Sequence, residues 1–198
     1  MPTQIIKVFI FKTKEYASSL SQAEQNAMLE KAANLRTQFG AQQIGNGFSY
    51  WSNEAWQYFG VEMYPSIEAV LGHSQKMMEI GWPRGIEAQT FLGTSDSPVT
   101  PVTEKSGFLK LWFAEFTADG YAGGEKGWEA LVQKRNEFYP SFNVRDHVYG
   151  KLFSAEQFTT FGLEWLPSID DVIGCQNKLE GIQWSRYIRA KIYLGVPV

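Results

Sequence analysis

The sequence predicts an α+β protein made of two β-α-β-β-α-β repeats. Three observations carry this expectation: an internal duplication, the same order of strands and helices in each copy, and a length that can bury a core without disulfides. Residues 59–93 lie over 161–195 at a constant shift of 102, with no gap and 16 identities in 35 positions. Gly60/Gly162, Glu62/Glu164, Pro65/Pro167, Gly72/Gly174, Trp82/Trp184 and Arg84/Arg186 are among the matches. The opening segment Lys7-Val8-Phe9-Ile10-Phe11 answers to Lys110-Leu111-Trp112-Phe113. Thr94–Pro101 holds two prolines and few apolar side chains, the composition of a linker. The expected division is therefore a repeat at 1–98, a linker at 99–106 and a repeat at 107–198.

Within the first copy, Ile5–Phe11 is apolar almost throughout, as a strand covered on both faces would be. Ser21-Gln22-Ala23-Glu24 has the capping-box pattern, and Met28, Leu29, Ala32, Leu35 and Phe39 follow at helical spacing until Gly40. Phe48–Trp51 and Trp56–Met63 read as aromatic-rich strands around a Ser52-Asn53-Glu54 turn. Pro65 opens a second helix whose expected buried stripe is Ile67, Val70, Leu71, Ser74, Met77 and Met78, and Gly81 closes it. Ile86–Leu92 is the last strand. One sheet with helices on a single face must cover its other face with something apolar, and the second copy supplies that cover. An intrachain pseudo-dimer is expected, with room for further homo-dimerisation.

Composition narrows function. The chain of 198 residues has 18 Lys+Arg against 21 Asp+Glu, a net charge of −3, and no basic cluster, which argues against nucleic acid and anionic membrane as partners. The lone Cys175 cannot form an internal bridge or a Cys-based zinc site, and two histidines, His73 and His147, limit any metal centre to carboxylate-rich ligation, so no metal site is expected. The apolar run near the N-terminus is too short for a signal peptide, and no segment approaches ~20 apolar residues, so a soluble cytoplasmic protein is expected. No phosphate-binding glycine loop, nucleophile elbow or zinc-protease motif occurs. Gly120-Tyr121-Ala122-Gly123-Gly124 reads as a flexible entry to a helix and a candidate pocket lid. Aromatic residues make up 15% of the chain, with 7 Trp, 9 Tyr and 14 Phe, suited to a pocket for a flat, largely apolar small molecule.

The element order and the duplication together resemble the dimeric α/β-barrel superfamily, in which two ferredoxin-like units place their sheets face to face. That resemblance implies ligand space between helices and sheet. It also implies a choice among cofactor-free monooxygenases, isomerases, polyketide cyclases, and haem-binding or haem-degrading proteins, since fold does not select the chemistry.

Candidate site residues follow from the repeat. Strand alternation puts Glu62 with Tyr58 and Gly60 on one face, and Glu164 takes the matching position. Buried carboxylates need partners, and Arg84 and Arg186 are the matched guanidiniums; a proton-shuttling Glu62 is the functional alternative. Trp82 and Trp184 stand beside those arginines, as packing or as ring contacts to a ligand. His73 falls at the margin of the second helix's buried stripe, a candidate acid/base or axial haem ligand, whereas its counterpart Cys175 reads as a small buried filler in a second, unlike pocket. Tyr50 and Tyr58 complete the first-copy pocket candidates. His147 is expected at a strand edge. The expected chemistry is cofactor-free, because no basic cluster awaits haem propionates. Haem held by His73 and a non-catalytic scaffold remain the alternatives.

Overall fold

The computed structural model describes residues 4–198. The first half runs β1 (Ile5–Thr13), α1 (Glu15–Ser19), α2 (Gln22–Gln38), β2 (Gln42–Phe48), β3 (Tyr58–Tyr64), α3 (Ile67–Glu79), α4 (Trp82–Gly85) and β4 (Ile86–Ser95). The second half repeats the order: β5 (Phe108–Phe116), α5 (Ala118–Phe138), a 3-10 turn (Tyr139–Phe142), β6 (Arg145–Leu152), β7 (Thr160–Leu166), α6 (Ile169–Gly181), α7 (Trp184–Tyr187) and β8 (Ile188–Pro197). Strands follow the order β1-β3-β2-β8-β5-β7-β6-β4 around a closed barrel. The halves join at two antiparallel seams, β2 with β8 and β4 with β6. Glycines let the backbones meet there, since a Cβ on Gly150 would lie 1.9 Å from the Thr94 carbonyl oxygen and one on Gly93 2.2 Å from that of Lys151.

Alternation along the strands decides where ligand space can be. Ile6, Val8 and Ile10 of β1 and Leu109, Leu111 and Phe113 of β5 point into the barrel with Phe59, Val61, Phe161 and Leu163, and all are buried in one cluster. The interior is thus a packed core rather than a channel. The opposite face of each half carries its helices, so the intervening helix–sheet layer is where a pocket forms.

The expected start of α2 is found, whereas α3 begins later than expected: Pro65 stands before the Ser66 cap, whose side chain accepts the Ala69 N–H, rather than in the first turn. Ser21 caps α2 with the full reciprocal capping box. Ser66 and Ser168 cap α3 and α6 at matching positions. Gly81 takes a left-handed φ of 79° after α3, and Gln183, its counterpart, takes 59° without a glycine's freedom.

Four expectations need correction. Leu71 and Met78 are exposed at 63% and 70%, and Ser74 is exposed too; the buried stripe of α3 is Val70 and His73, with Ile67 and Met77 half-buried. The strand before the turn is Gln42–Phe48, not Phe48–Trp51. Its Gly45 and Gly47 conceal it in sequence but make room for Val102 and Leu163 and for the Phe59 ring. The connection between the halves is no free tether, because Val99 and Val102 pack on the barrel core and the Val102 N–H donates to the Ile44 carbonyl. His147 is buried rather than peripheral, at a bulge in β6, with Nδ1 3.0 Å from the Thr100 carbonyl oxygen.

Candidate functional site

Each half buries a lysine–glutamate pair on the outer face of its two central strands, placed by strand register: Lys7 opposite Glu62, and Lys110 opposite Glu164. In the first half, the Lys7 ammonium is 3.4 Å and the Arg36 guanidinium 3.8 Å from the Glu62 carboxylate. The Tyr64 hydroxyl donates to Glu62 Oε2 at 2.8 Å and lies 2.8 Å from His73 Nδ1. Because that single hydroxyl proton goes to the carboxylate, His73 Nδ1 carries the hydrogen and Nε2 is a bare lone pair with no partner among the described residues. Burial, reinforced by the positive charges of Lys7 and Arg36 and only partly offset by Glu62, pushes His73 down to about 4, and burial beside Glu62 pushes the Tyr64 phenol well above its ordinary range.

In the second half the Lys110 ammonium is 2.6 Å from Glu164 Oε2, while Trp112 Nε1–H and the Tyr139 hydroxyl donate to Oε1 at 3.0 and 3.1 Å. Burial alone would discharge both ions. Their mutual contact instead holds Lys110 above and Glu164 below their ordinary values. Burial and Glu164 raise the Tyr139 phenol, which keeps its proton. The Lys110 ion pair on Oε2 and the two hydrogen bonds on Oε1 hold this carboxylate in its ionised form. The expected Glu–Arg pairs are absent: Arg84 is exposed on α4, and the exposed Arg186 pairs with Asp119 at 2.6 Å. The first-strand lysines, one residue type the repeat also retained, take that role.

A cavity of about 510 Å³ opens in the second half between the sheet and helices α5 and α6. Its floor includes Trp112, Ala114, Thr160, Ile188 and Ala190, and its roof Trp128, Val132, Arg135, Leu179 and Trp184. The Trp128 ring lies 5.2 Å from Phe116 and 5.7 Å from Trp184, so indoles frame one side. Arg135 stacks 4.6 Å over the Tyr139 ring, with no carboxylate within salt-bridge distance among the described residues. The register explains why the space opens here. Ala114 faces Thr160 across β5 and β7, whereas the equivalent cross-strand pair in the first half, Phe11 and Tyr58, stacks at 4.8 Å with planes 11° apart. Two small residues leave open what two rings fill.

Of the sequence-derived candidates, Glu164 and Trp184 line this cavity and Cys175 is buried within the adjoining α6 core. His73 and Glu62 sit together in the first half's helix–sheet layer, Tyr58 lies in the ring stack there, and Trp82 is half-buried on α4. Tyr50 is 48% exposed in the loop after β2, apart from both clusters. Sequence reasoning missed Lys110, Ala114, Trp128, Arg135, Tyr139 and Thr160. The large-to-small exchanges at Phe11/Ala114 and Tyr58/Thr160 were the available signal. The glycine-rich entry lies inside α5, where Gly124 has non-helical angles and interrupts the helix that roofs the cavity.

The architecture, two β-α-β-β-α-β halves closing one antiparallel barrel, is shared with solved structures of other proteins. Solved structures of similar fold include a doubly substituted chlorite dismutase from Candidatus Nitrospira defluvii, at TM-score 0.81 and 10% identity, covering 98% of this chain and 91% of that one. The same enzyme in complex with imidazole gives a TM-score of 0.82 at 9% identity, covering 100% and 92%. A candidate chlorite dismutase gives 0.74 at 12% identity, covering 99% and 95%. No protein-family model matches the chain, and no curated protein matches it by sequence. Among the described residues, no helix is long and apolar enough to cross a membrane.

Proposed function

We propose that the chain binds a flat, largely apolar small molecule in the second-half cavity, and that a tetrapyrrole of the haem class is the ligand its fold favours. The cavity itself carries this reading: at about 510 Å³ it falls within the ~300–1,000 Å³ of typical small-molecule sites and presents flat indoles beside one unpaired guanidinium. The fold likeness to chlorite dismutases supports the tetrapyrrole. Structures of that enzyme hold imidazole or cyanide, both small molecules with an affinity for transition metals. Arg135 suits the acidic substituents such a macrocycle carries.

His73 as an axial ligand does not accompany this reading. It is 2% exposed, bonded to Tyr64, and belongs to the other half. Among the described residues no histidine, cysteine or methionine lines the cavity, so its side chains do not fit the axial position of a haem iron. The test is a titration with protoporphyrin IX followed by tryptophan quenching, repeated in Ala114→Phe/Thr160→Tyr, which rebuilds the first half's ring stack. A ligand at 100 times its Kd should also stabilise the protein by ~2.7 kcal/mol. Binding lost in the double variant, with its fold intact by circular dichroism, supports the reading; equal binding by both proteins refutes it.

A further inference from the structure

We infer that the cavity retains its flat ligand by stacking and charge alone, without a protein atom coordinating a metal at the ligand's centre. This rests on the proposed function and goes beyond it, because it states how the ligand is held. Iron in a protein-bound tetrapyrrole is ordinarily fixed by an imidazole, a thiolate, a thioether or a phenolate. Each donor type is accounted for among the described residues. Both imidazoles are elsewhere: His73 is closed in the first half, and His147 is buried against the segment joining the halves. The one thiol, Cys175, is 1% exposed in the α6 core behind the cavity wall, beside Tyr139 and Leu179 rather than in the lining, and burial raises it, favouring the protonated form that is the poorer ligand. No thioether lines the cavity.

That leaves two phenols. The Tyr139 hydroxyl gives its hydrogen to Glu164, and the charge of that carboxylate opposes any phenolate there. Tyr149 is 44% exposed on β6, a surface strand position rather than a buried and oriented one. What the cavity does provide is area and two cations without a carboxylate partner among the described residues, Arg135 over the Tyr139 ring and the exposed Lys151. Trp112 is held flat by its bond to Glu164 and by Gly162, where a Cβ would come within 2.3 Å of the indole. Trp128 and Trp184 face it from the helices, and Arg135 is free to meet an acid group. All of these contacts are indifferent to what sits at the centre of a macrocycle.

The test compares hemin with metal-free protoporphyrin IX on the intact chain, both followed by tryptophan quenching. The expected result is dissociation constants within about threefold of each other, a difference under 1 kcal/mol. The hemin complex should keep its Soret position in His73→Cys, Cys175→Ala and Tyr149→Phe. Iron-dependent tightening of about 30-fold or more, or a Soret band that moves in any of these variants, overturns the inference while leaving the proposed function standing. Failure of both porphyrins to bind overturns the two together. Weaker binding of both porphyrins in Arg135→Leu, by the same factor, supports it further.

Discussion

Replacing His73 by the residue at its repeat position, His73→Cys, should remove a specific acid sensitivity from the fold. In the native protein the imidazole is neutral, with its Nδ1 hydrogen on Tyr64 and its Nε2 unpartnered. Protonation would bury a charge near Lys7 and Arg36, which is why its value falls from 6.5 to about 4. The unfolded chain takes up that proton near pH 6.5 and the folded chain only near pH 4. Within this window the unfolded state binds more protons, so stability is full above about pH 6.5 and falls as pH drops towards 4. A gap of roughly 2.5 pH units at 1.36 kcal/mol each gives about 3 kcal/mol, an upper figure if the layer relaxes to admit water. Urea unfolding at several pH values between 7.5 and 4 measures it. The native protein should lose about 3 kcal/mol more than His73→Cys across that range, while carboxylate titrations common to both cancel. Parallel curves would refute the argument and place the imidazole in contact with water.

Glu164→Leu should destabilise by about 3–5 kcal/mol in urea titrations, because it strands a buried Lys110; adding Lys110→Met should recover much of that loss, and a double variant as unstable as the single would count against the pairing. Gly150→Ala forces a Cβ onto the Thr94 carbonyl at the β4–β6 seam and should cost about 1–3 kcal/mol or more, whereas Gly127→Ala, with open space around it, should be neutral or mildly stabilising in the same assay. Trp128→Ala should weaken protoporphyrin binding at least about tenfold by fluorescence titration, while Trp82→Ala, in the half without the cavity, should leave it unchanged.

The second-helix frame was legible because its signals are local: Pro65 near its start and Gly81 after it act within a few residues, although Pro65 stands before the Ser66 cap rather than at the first helical position. The stripe was misread because Leu71 and Met78 look core-forming by composition alone, whereas the direction of α3 over the sheet turns them outward and brings polar His73 in. For β2 the sequence misled in the opposite sense. Gly45 and Gly47 lower strand propensity, yet only a glycine allows Leu163 and Phe59 to approach from across the barrel, a contact between residues distant in the chain.

The repeat placed Glu62 and Glu164 on the helix-facing side of their strands by alternation, and that was enough to predict that both would need partners. Which partners they found was a matter of cross-strand register: Lys7 and Lys110 stand directly opposite, while Arg84 and Arg186, close by in the duplicated segment, end up in the solvent. By itself the sequence determined the order of elements, the inner and outer faces, and the presence of two related halves, since each is set by period, capping and duplication. The tertiary structure alone decided that space opens over Ala114 and Thr160 while the Phe11–Tyr58 stack fills the equivalent position of the first half, because a cavity is the volume left between side chains from several elements. There, Ala114 and Thr160 meet across a strand pair beneath α5, and no stretch of sequence contains that space.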